Sequence, residues 1–199
     1  MELERALSDL AEVRDRLAHL QRFDGYSGPA AAASGLAAFA AAFVQRRVAP
    51  LPANSSALHA YLDIWLGCLA VALLLNYGAV GLWLLRHRAP GARSRFRTAA
   101  LSIAPSILLG GALSVALIDH SAYALLPGTW FAFYAIGLFA SRGAIPSSTF
   151  GVTIGFAALA LLFLMPPLNA VALAWWVMPI GFGVGQIAIG SIIWRGRTA

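Results

Sequence analysis

Six long runs of apolar residues divide the sequence, and each is long enough for a membrane-spanning helix, which needs about 20 such residues. The runs are continuously apolar, whereas the strands of a membrane β-barrel alternate between their two faces. Short connections between the runs favour antiparallel packing of consecutive helices. The sequence therefore predicts an all-α fold, a six-helix transmembrane bundle. The predicted spans are Pro29–Val48, Leu58–Leu85, Ala99–Ile118, Tyr123–Ala140, Ile145–Met165 and Leu168–Trp194.

The composition excludes a water-soluble domain of ordinary kind. Hydrophobic residues make up 60% of the 199 residues and charged residues only 11%, far from the roughly half-apolar, quarter-charged composition of soluble domains. The single cysteine, Cys68, excludes an internal disulfide and a thiolate metal cluster. Two parts are predicted: residues 1–27, a charged cytoplasmic helix with a linker, and residues 28–199, the membrane domain.

The basic residues predict how the chain lies in the membrane. All of them are arginines, and cytoplasmic loops of membrane proteins retain positive charge. With both termini in the cytoplasm, which requires an even number of spans, only Arg46 and Arg47 fall outside. The predicted location is a bacterial inner membrane.

The first residues form an amphipathic segment. Leu3, Leu10 and Leu17 repeat every seven residues, a spacing typical of a helix that packs against another helix. The spacing fits three kinds of partner: the chain's own cytoplasmic loops, a second copy of the chain, or another protein.

Two pairs of ionisable residues lie at the predicted outer ends of spans: His59 with Asp63, and Asp119 with His120. Two imidazoles and two carboxylates suit a transition metal or a proton relay. The simpler interpretation is that the second span is longer than the bilayer needs, so that these side chains lie above the hydrocarbon.

Asn76 and Gln186 are the polar residues nearest the predicted bilayer centre. Such groups join helices by hydrogen bonds or line a transport path. Pro105 and Pro179, each followed by glycines, mark possible broken helices of an inverted-repeat transporter. Glycine pairs spaced by four residues, such as those at 151/155 and 181/185, predict close helix packing.

A cluster of arginines follows the second span. Each charge of this kind gains about 1 kcal/mol beside an anionic leaflet, so lipid headgroups are the predicted partner. No aromatic platform or recognition helix accompanies the cluster, and nucleic-acid binding is not expected. The predicted headgroup residues are Arg86, Arg88, Arg93, Arg95 and Arg97.

Common hydrolase, metalloprotease and nucleotide-binding motifs do not occur in the sequence, so no catalytic residue and no cofactor are predicted. Four stretches carry a resemblance instead: SGPAAAASGLAA from Ser27, RTAALSIAPSILLGGALS from Arg97, LPGTWFAFYAIGLFASRGA from Leu126 and MPIGFGVGQIAIGSIIW from Met178. They resemble an uncharacterised bacterial family of small multi-span integral membrane proteins, often encoded beside a winged-helix regulator. The resemblance implies no catalytic residues.

Two functions are favoured by the sequence, ahead of an intramembrane enzyme built around His59 and Asp63. The first is a non-enzymatic sensory, regulatory or accessory subunit of the membrane, because the N-terminal segment needs a partner surface and no convincing catalytic site is present. The second is a small-solute or ion transporter with a path through the third and sixth spans, lined by Asn76 and Gln186.

Cysteine labelling tests the predicted orientation. In a Cys68→Ala background, Arg93→Cys is expected to react with an impermeant maleimide only after the membrane is opened, whereas Asn54→Cys reacts in intact spheroplasts. The physical reason is retention of arginine-rich segments in the cytoplasm. Labelling of Arg93→Cys from the periplasm would contradict the orientation.

Overall fold

The computed structural model of the chain describes residues 25–86 and 91–198, together with Arg5. Within these residues the fold is all-α, without strands, and contains six helices, as the sequence predicts. The predicted helix carrying Leu3, Leu10 and Leu17, and also Arg88, lie outside the described residues. The helices are α1 (Gly28–Val48), α2 (Ser55–Arg86), α3 (Ala92–Asp119), α4 (Leu126–Ala140), α5 (Phe150–Leu164) and α6 (Val184–Thr198).

Short irregular helical segments precede the later helices. One 3-10 turn, Tyr123–Leu125, leads into α4, a second, Ser147–Thr149, leads into α5, and a π-helical segment, Pro179–Gly183, runs directly into α6. Five helical segments are long and apolar enough to cross a membrane, with α4 and α5 counted together with their 3-10 turns. The chain is therefore a multi-pass membrane protein.

Side-chain caps begin the first two helices. The Ser27 hydroxyl accepts a hydrogen bond from the N–H of Ala30, and Pro29 occupies the first turn of α1, where its missing N–H costs nothing. The Asn54 side chain accepts from the N–H of Ala57 in the same way at the start of α2. These caps satisfy backbone donors that a helix end otherwise leaves without partners.

The helices alternate in direction, which gives the bundle two ends. The Arg46 end holds the last turn of α1, the first turn of α2 and the start of α4; the Arg86 end holds the start of α1, the last turn of α2 and the start of α3. Arg46 and Arg47 lie at the first end. The second end carries the other arginines of residues 25–86 and 91–195, namely Arg86, Arg93, Arg95, Arg97, Arg142 and Arg195.

The backbones of α1 and of α6 with its preceding π-helical segment approach each other closely. Gly28 faces Gly190 and Gly35 faces Gly183, and the seven-residue spacing on both sides keeps the two contacts on one face. A Cβ placed at Gly28 lies 2.6 Å from the carbonyl oxygen of Gly190, a distance that only glycine allows. Helices in lipid associate through such small residues because their backbones can then touch along the crossing.

The remaining packing leaves α2 and α3 at the flanks. α1 lies between α2 and α6, and α4 lies between α3 and α5. The expectation that all consecutive helices are neighbours is wrong for α2 and α3, which share little packing. One contact between them is that of the Tyr77 and Phe96 rings, whose centroids are 6.5 Å apart. Both helices present most of their residues outward: only 6% of the apolar window of α2 and 11% of that of α3 are buried, against 44% in the span that contains α4.

The sixth predicted span is wrong in its first half. The chain from Leu168 to Trp176 forms a 3-10 turn and further turns, and helix resumes only at Val177. Leu173 and its neighbours are apolar because they are buried against the bundle, and the N–H of Trp175 donates to the carbonyl of Pro50 at 3.0 Å. Apolarity alone cannot separate a buried turn from a spanning helix.

Two expectations about α3 are also corrected. Three arginines predicted to lie in a loop, Arg93, Arg95 and Arg97, lie on the first turns of α3, because this helix already begins at Ala92. α3 also continues as a helix through Pro105, which is exposed, so it is not a broken helix. Charged residues are tolerated on a helix end outside the hydrocarbon, and a proline inside a membrane helix is tolerated where nearby groups or local adjustments of the turn satisfy the backbone that it frees.

The α1–α6 crossing predicts a position-specific effect of adding one methyl group. Gly190→Ala is expected to destabilise the bundle by about 1–3 kcal/mol because the Cβ collides with the backbone of α1. Gly78→Ala is the control: its Cβ meets nothing within 4 Å, and alanine favours helix by up to about 1 kcal/mol. Unfolding in mixed detergent micelles measures both; equal stability of the two variants would contradict the crossing.

Candidate functional site

A polar pair, Tyr134 of α4 and Gln186 of α6, lies inside the bundle. The Gln186 side-chain N–H donates to the hydroxyl oxygen of Tyr134. The tyrosine ring packs against Phe156 at 4.6 Å and against Phe182 at 5.2 Å between ring centroids. The tyrosine of the pair is therefore held among aromatic rings, where an unpaired polar group is costly.

Two more tyrosines lie near this pair, on the α1 and α2 side. The hydroxyl of Tyr134 is close enough to those of Tyr26 and Tyr77 to interact with both electrostatically. Burial, followed by the neighbouring Tyr77, raises the pKa of Tyr26 to about 12, so Tyr26 is neutral at physiological pH. We call Tyr26, Tyr77, Tyr134 and Gln186 the tyrosine cluster. It offers neutral hydrogen-bond donors and acceptors, which suit helix joining or binding of a polar group.

The π-helical segment places Gln186 at this point. Pro179 has no N–H to donate, and the wider turn that follows runs into the first turn of α6. Gly181 lies against the ring of Phe131, and a Cβ at Gly185 lies 2.5 Å from the ring of Phe156. The packing predicted for the pair Gly181 and Gly185 is thus present. π-helical turns inside helices often occur at functional sites.

The two polar residues predicted near the bilayer centre are satisfied separately. The Asn76 side chain donates to the carbonyl of Ala72 in its own helix at 2.9 Å, and Gln186 pairs with Tyr134. The structure gives no hydrogen bond between Asn76 and Gln186. Only the Gln186 contact corresponds to the helix-joining interpretation, since the Asn76 hydrogen bond stays within α2.

The predicted metal candidates are not brought together as a ligand group. Within the described residues no group of three or more His, Cys, Asp or Glu side chains lies close enough to hold a metal ion. The four candidates, His59, Asp63, Asp119 and His120, are all exposed, and the His120 ring contacts the carbonyl of Ala116 at 2.9 Å.

An aromatic side chain joins α2 and α3 at the Arg46 end. Trp130 of α4 stacks on Tyr61 of α2 and donates its indole N–H to Ser114 of α3.

A second polar group, which sequence reasoning missed, is the Gln45 network. Gln45 is fully buried; its side-chain N–H groups donate to the carbonyls of Leu173 at 2.8 Å and Ala49 at 3.2 Å. Its side-chain oxygen accepts from the indole N–H of Trp65 at 2.8 Å. One amide thereby joins α1, α2 and the segment before α6. Gln45 precedes two arginines in the sequence, and nothing in that context distinguishes it from an interfacial residue.

Aromatic residues extend this network across the same end. Tyr61 is fully buried and stacks almost parallel on Trp130, with ring centroids 6.3 Å apart and planes at 8°. Its hydroxyl has no hydrogen-bond partner within the described residues. The guanidinium of Arg46 lies over the ring of Trp175 at 4.9 Å, a cation–π contact. At the Arg46 end, ring stacking and a cation–π contact thus add to the hydrogen bonds of the Gln45 network.

Four of the predicted headgroup arginines, Arg86, Arg93, Arg95 and Arg97, lie at one end of the bundle, and Arg88 is outside the described residues. Arg86, Arg93 and Arg97 are exposed and Arg95 is half-buried. The exposed arginines can reach a leaflet or a partner; contact with anionic lipid stays a prediction.

No protein-family model matches the chain, and neither curated proteins nor solved structures match it. The resemblance to a family of small bacterial membrane proteins therefore stays a prediction. Function has to be argued from the side chains and their surroundings, because fold alone does not define activity.

The Gln45 network predicts opposite effects for two neighbouring substitutions. Gln45→Leu is expected to cost about 1–3 kcal/mol, because the Trp65 indole and the Leu173 carbonyl lose their partner inside the bundle. Tyr61→Phe removes a buried hydroxyl that has no partner, and is expected to leave stability unchanged or to raise it.

Thermal unfolding in detergent measures both variants, and Gln45→Leu combined with Trp65→Phe completes a double-mutant cycle. A coupling energy near zero between Gln45 and Trp65 would show that the hydrogen bond between them contributes nothing.

Proposed function

We propose that this chain is a non-enzymatic accessory or regulatory subunit of the bacterial inner membrane, with both termini in the cytoplasm. The observation that carries the proposal is the filled bundle interior. The rings of Phe131, Phe156 and Phe182 lie within 6.0 Å of one another beside Tyr134 and Gln186, where a transport path would need polar, water-accessible walls. A packed centre suits a protein that acts through its surfaces.

The outward faces of α2 and α3 support a role in binding other membrane components. Leu74, Leu85 and Leu108 are each more than 70% exposed, so these long helices offer wide apolar faces to lipid or to another membrane protein. Gly151 and Gly155 of α5 also face outward, with nothing within 4 Å of an added Cβ. Among the described residues the packing predicted for this glycine pair is not made, and a neighbouring helix can approach it closely.

The charged segments of the chain support a cytoplasmic location for its binding surfaces. The arginines at the Arg86 end favour the cytoplasmic side and anionic headgroups there. The heptad-spaced leucines Leu3, Leu10 and Leu17 precede this end in the sequence, where a cytoplasmic partner would contact them.

Transport through the third and sixth spans receives less support. The helix through Pro105 is continuous and Pro105 itself is exposed. Of the two spans that would form the path, only the sixth therefore contains an irregular helical segment. Paired broken helices are the feature that inverted-repeat transporters use to build a midplane site.

Two measurements on the full-length protein separate these functions. Proteoliposomes are expected to show no saturable ion or solute flux above protein-free liposomes, because aromatic rings fill the interior. In native membranes, deletion of Met1–Gln21 is expected to remove cross-links between this chain and its partner without changing its membrane insertion.

Flux that is lost in Gln186→Leu but kept in Ser102→Ala, a half-buried residue bonded within its own helix, would replace the proposal by transport. An unchanged cross-linking pattern after the deletion would remove the partner role of the N-terminal segment.

A further inference from the structure

An open groove of about 420 Å³ follows the outer seam between α1 and α2. Its walls are mostly small side chains: Ala37, Ala40 and Ala41 from α1, and Gly67 and Cys68 from α2. The volume falls in the range of small-molecule sites, about 300–1,000 Å³. This groove is separate from the tyrosine cluster and from the Gln45 network, and the proposal below is independent of the proposed function.

One carboxylate, Asp63, lines this otherwise apolar groove toward the Arg46 end. Within the part of the chain that the structure describes, Asp63 makes no ion pair and no hydrogen bond. An unpaired charge beside hydrocarbon is costly, and such residues in membrane proteins pair with a partner of opposite charge. A suitable partner for the Asp63 carboxylate is therefore a cationic group that also donates hydrogen bonds, such as a primary ammonium.

The dimensions of the groove favour a lipid chain over a helix. The α1 wall from Ala37 to Val44 is about 10 Å long at 1.5 Å per residue. A transmembrane helix lying along this wall would pack against it over only about two turns. A flexible acyl chain is much narrower than a helix and packs against small side chains.

A second charge lies beyond the end of the α1 wall. Arg47 follows Val44 by three residues, which places it one turn nearer the Arg46 end, and it is exposed with its guanidinium over the ring of Phe43. Guanidinium groups bind phosphate through paired hydrogen bonds. An anion and a cation thus flank the end of an apolar groove, the complement of a zwitterionic headgroup on an acyl chain.

We infer that the α1–α2 groove binds one phospholipid with a primary ammonium headgroup, of the phosphatidylethanolamine type. An acyl chain lies along the alanines of α1 and Gly67, the ammonium donates to the Asp63 carboxylate, and the phosphate accepts from Arg47. N-methylation of the same lipid to the choline form keeps its charge and removes the donors, so phosphatidylcholine binds less well.

Lipid retention tests this site. The full-length protein is placed in nanodiscs of phosphatidylethanolamine and phosphatidylcholine in equal amounts with matched acyl chains, and lipids that remain bound are counted by native mass spectrometry. The wild type is expected to retain the ethanolamine form roughly fivefold more, the factor that one additional net hydrogen bond gives. Asp63→Leu, which removes the acceptor, is expected to lower this ratio to about one, and Asp119→Leu, at an exposed carboxylate outside the groove, is expected to leave it unchanged.

A second pair of variants tests the groove itself. Gly67→Leu fills it and Gly78→Leu adds the same side chain elsewhere on α2; neither Cβ meets anything within 4 Å, so both variants are expected to fold. Loss of retained lipid in the first variant alone supports the site. A ratio near one in the wild type, an unchanged ratio in Asp63→Leu, or a Gly67→Leu variant that keeps lipid but loses self-association would overturn it, the last in favour of a second copy.

Discussion

The rest of the bundle depends on the contact between the backbones of α1 and α6. Within lipid there is little hydrophobic gain when two helices meet, so close packing of small residues has to supply the attraction. Gly28 against Gly190 and Gly35 against Gly183 bring the two helix axes together at two levels. This crossing fixes the position of α6, and through α6 the aromatic side chains that fill the interior.

Two polar networks accompany that crossing: one lies near the Arg46 end, and the other lies level with the crossing, because Gln186 falls between Gly183 and Gly190 in the sequence. Near the Arg46 end, the amide of Gln45 joins three segments of chain. In the second network, Gln186 and Tyr134 join α6 to α4 among phenylalanine rings. Since hydrogen bonds inside a membrane are directional and their groups are costly to leave unpaired, they specify which helices meet, while the glycines determine how closely.

Sequence reasoning predicted the spans and missed most of the contacts, for physical reasons. Lipid requires long apolar helices, so five of the six predicted spans agree with the structure to within a few residues, apart from the early start of α3 and the extended ends of α2. The sixth differs because buried turns such as the one at Leu173 are as apolar as a helix. The same ambiguity hid the arginines on α3, since a charged helical turn outside the hydrocarbon has the composition of a loop.

The site residues were predictable only where composition marks them. Gln186 is recognisable as a polar residue inside an apolar run, but its partner Tyr134 is not, because tyrosine is common in spans. Gln45 lies beside two arginines and has no distinguishing pattern, although it is fully buried. Pairing between distant residues depends on helix rotation about the axis, and the apolar runs of this sequence carry almost no amphipathic signal to set that rotation.

The α1–α6 crossing also constrains the order of events during biosynthesis. The ribosome releases α1 long before α6 exists, so the first helix enters the bilayer with its glycine face uncovered and only its hairpin partner α2 beside it. Completion of the bundle waits for the final helix to insert, and until then the exposed backbone face of α1 is open to insertion factors and to quality-control proteases of the membrane.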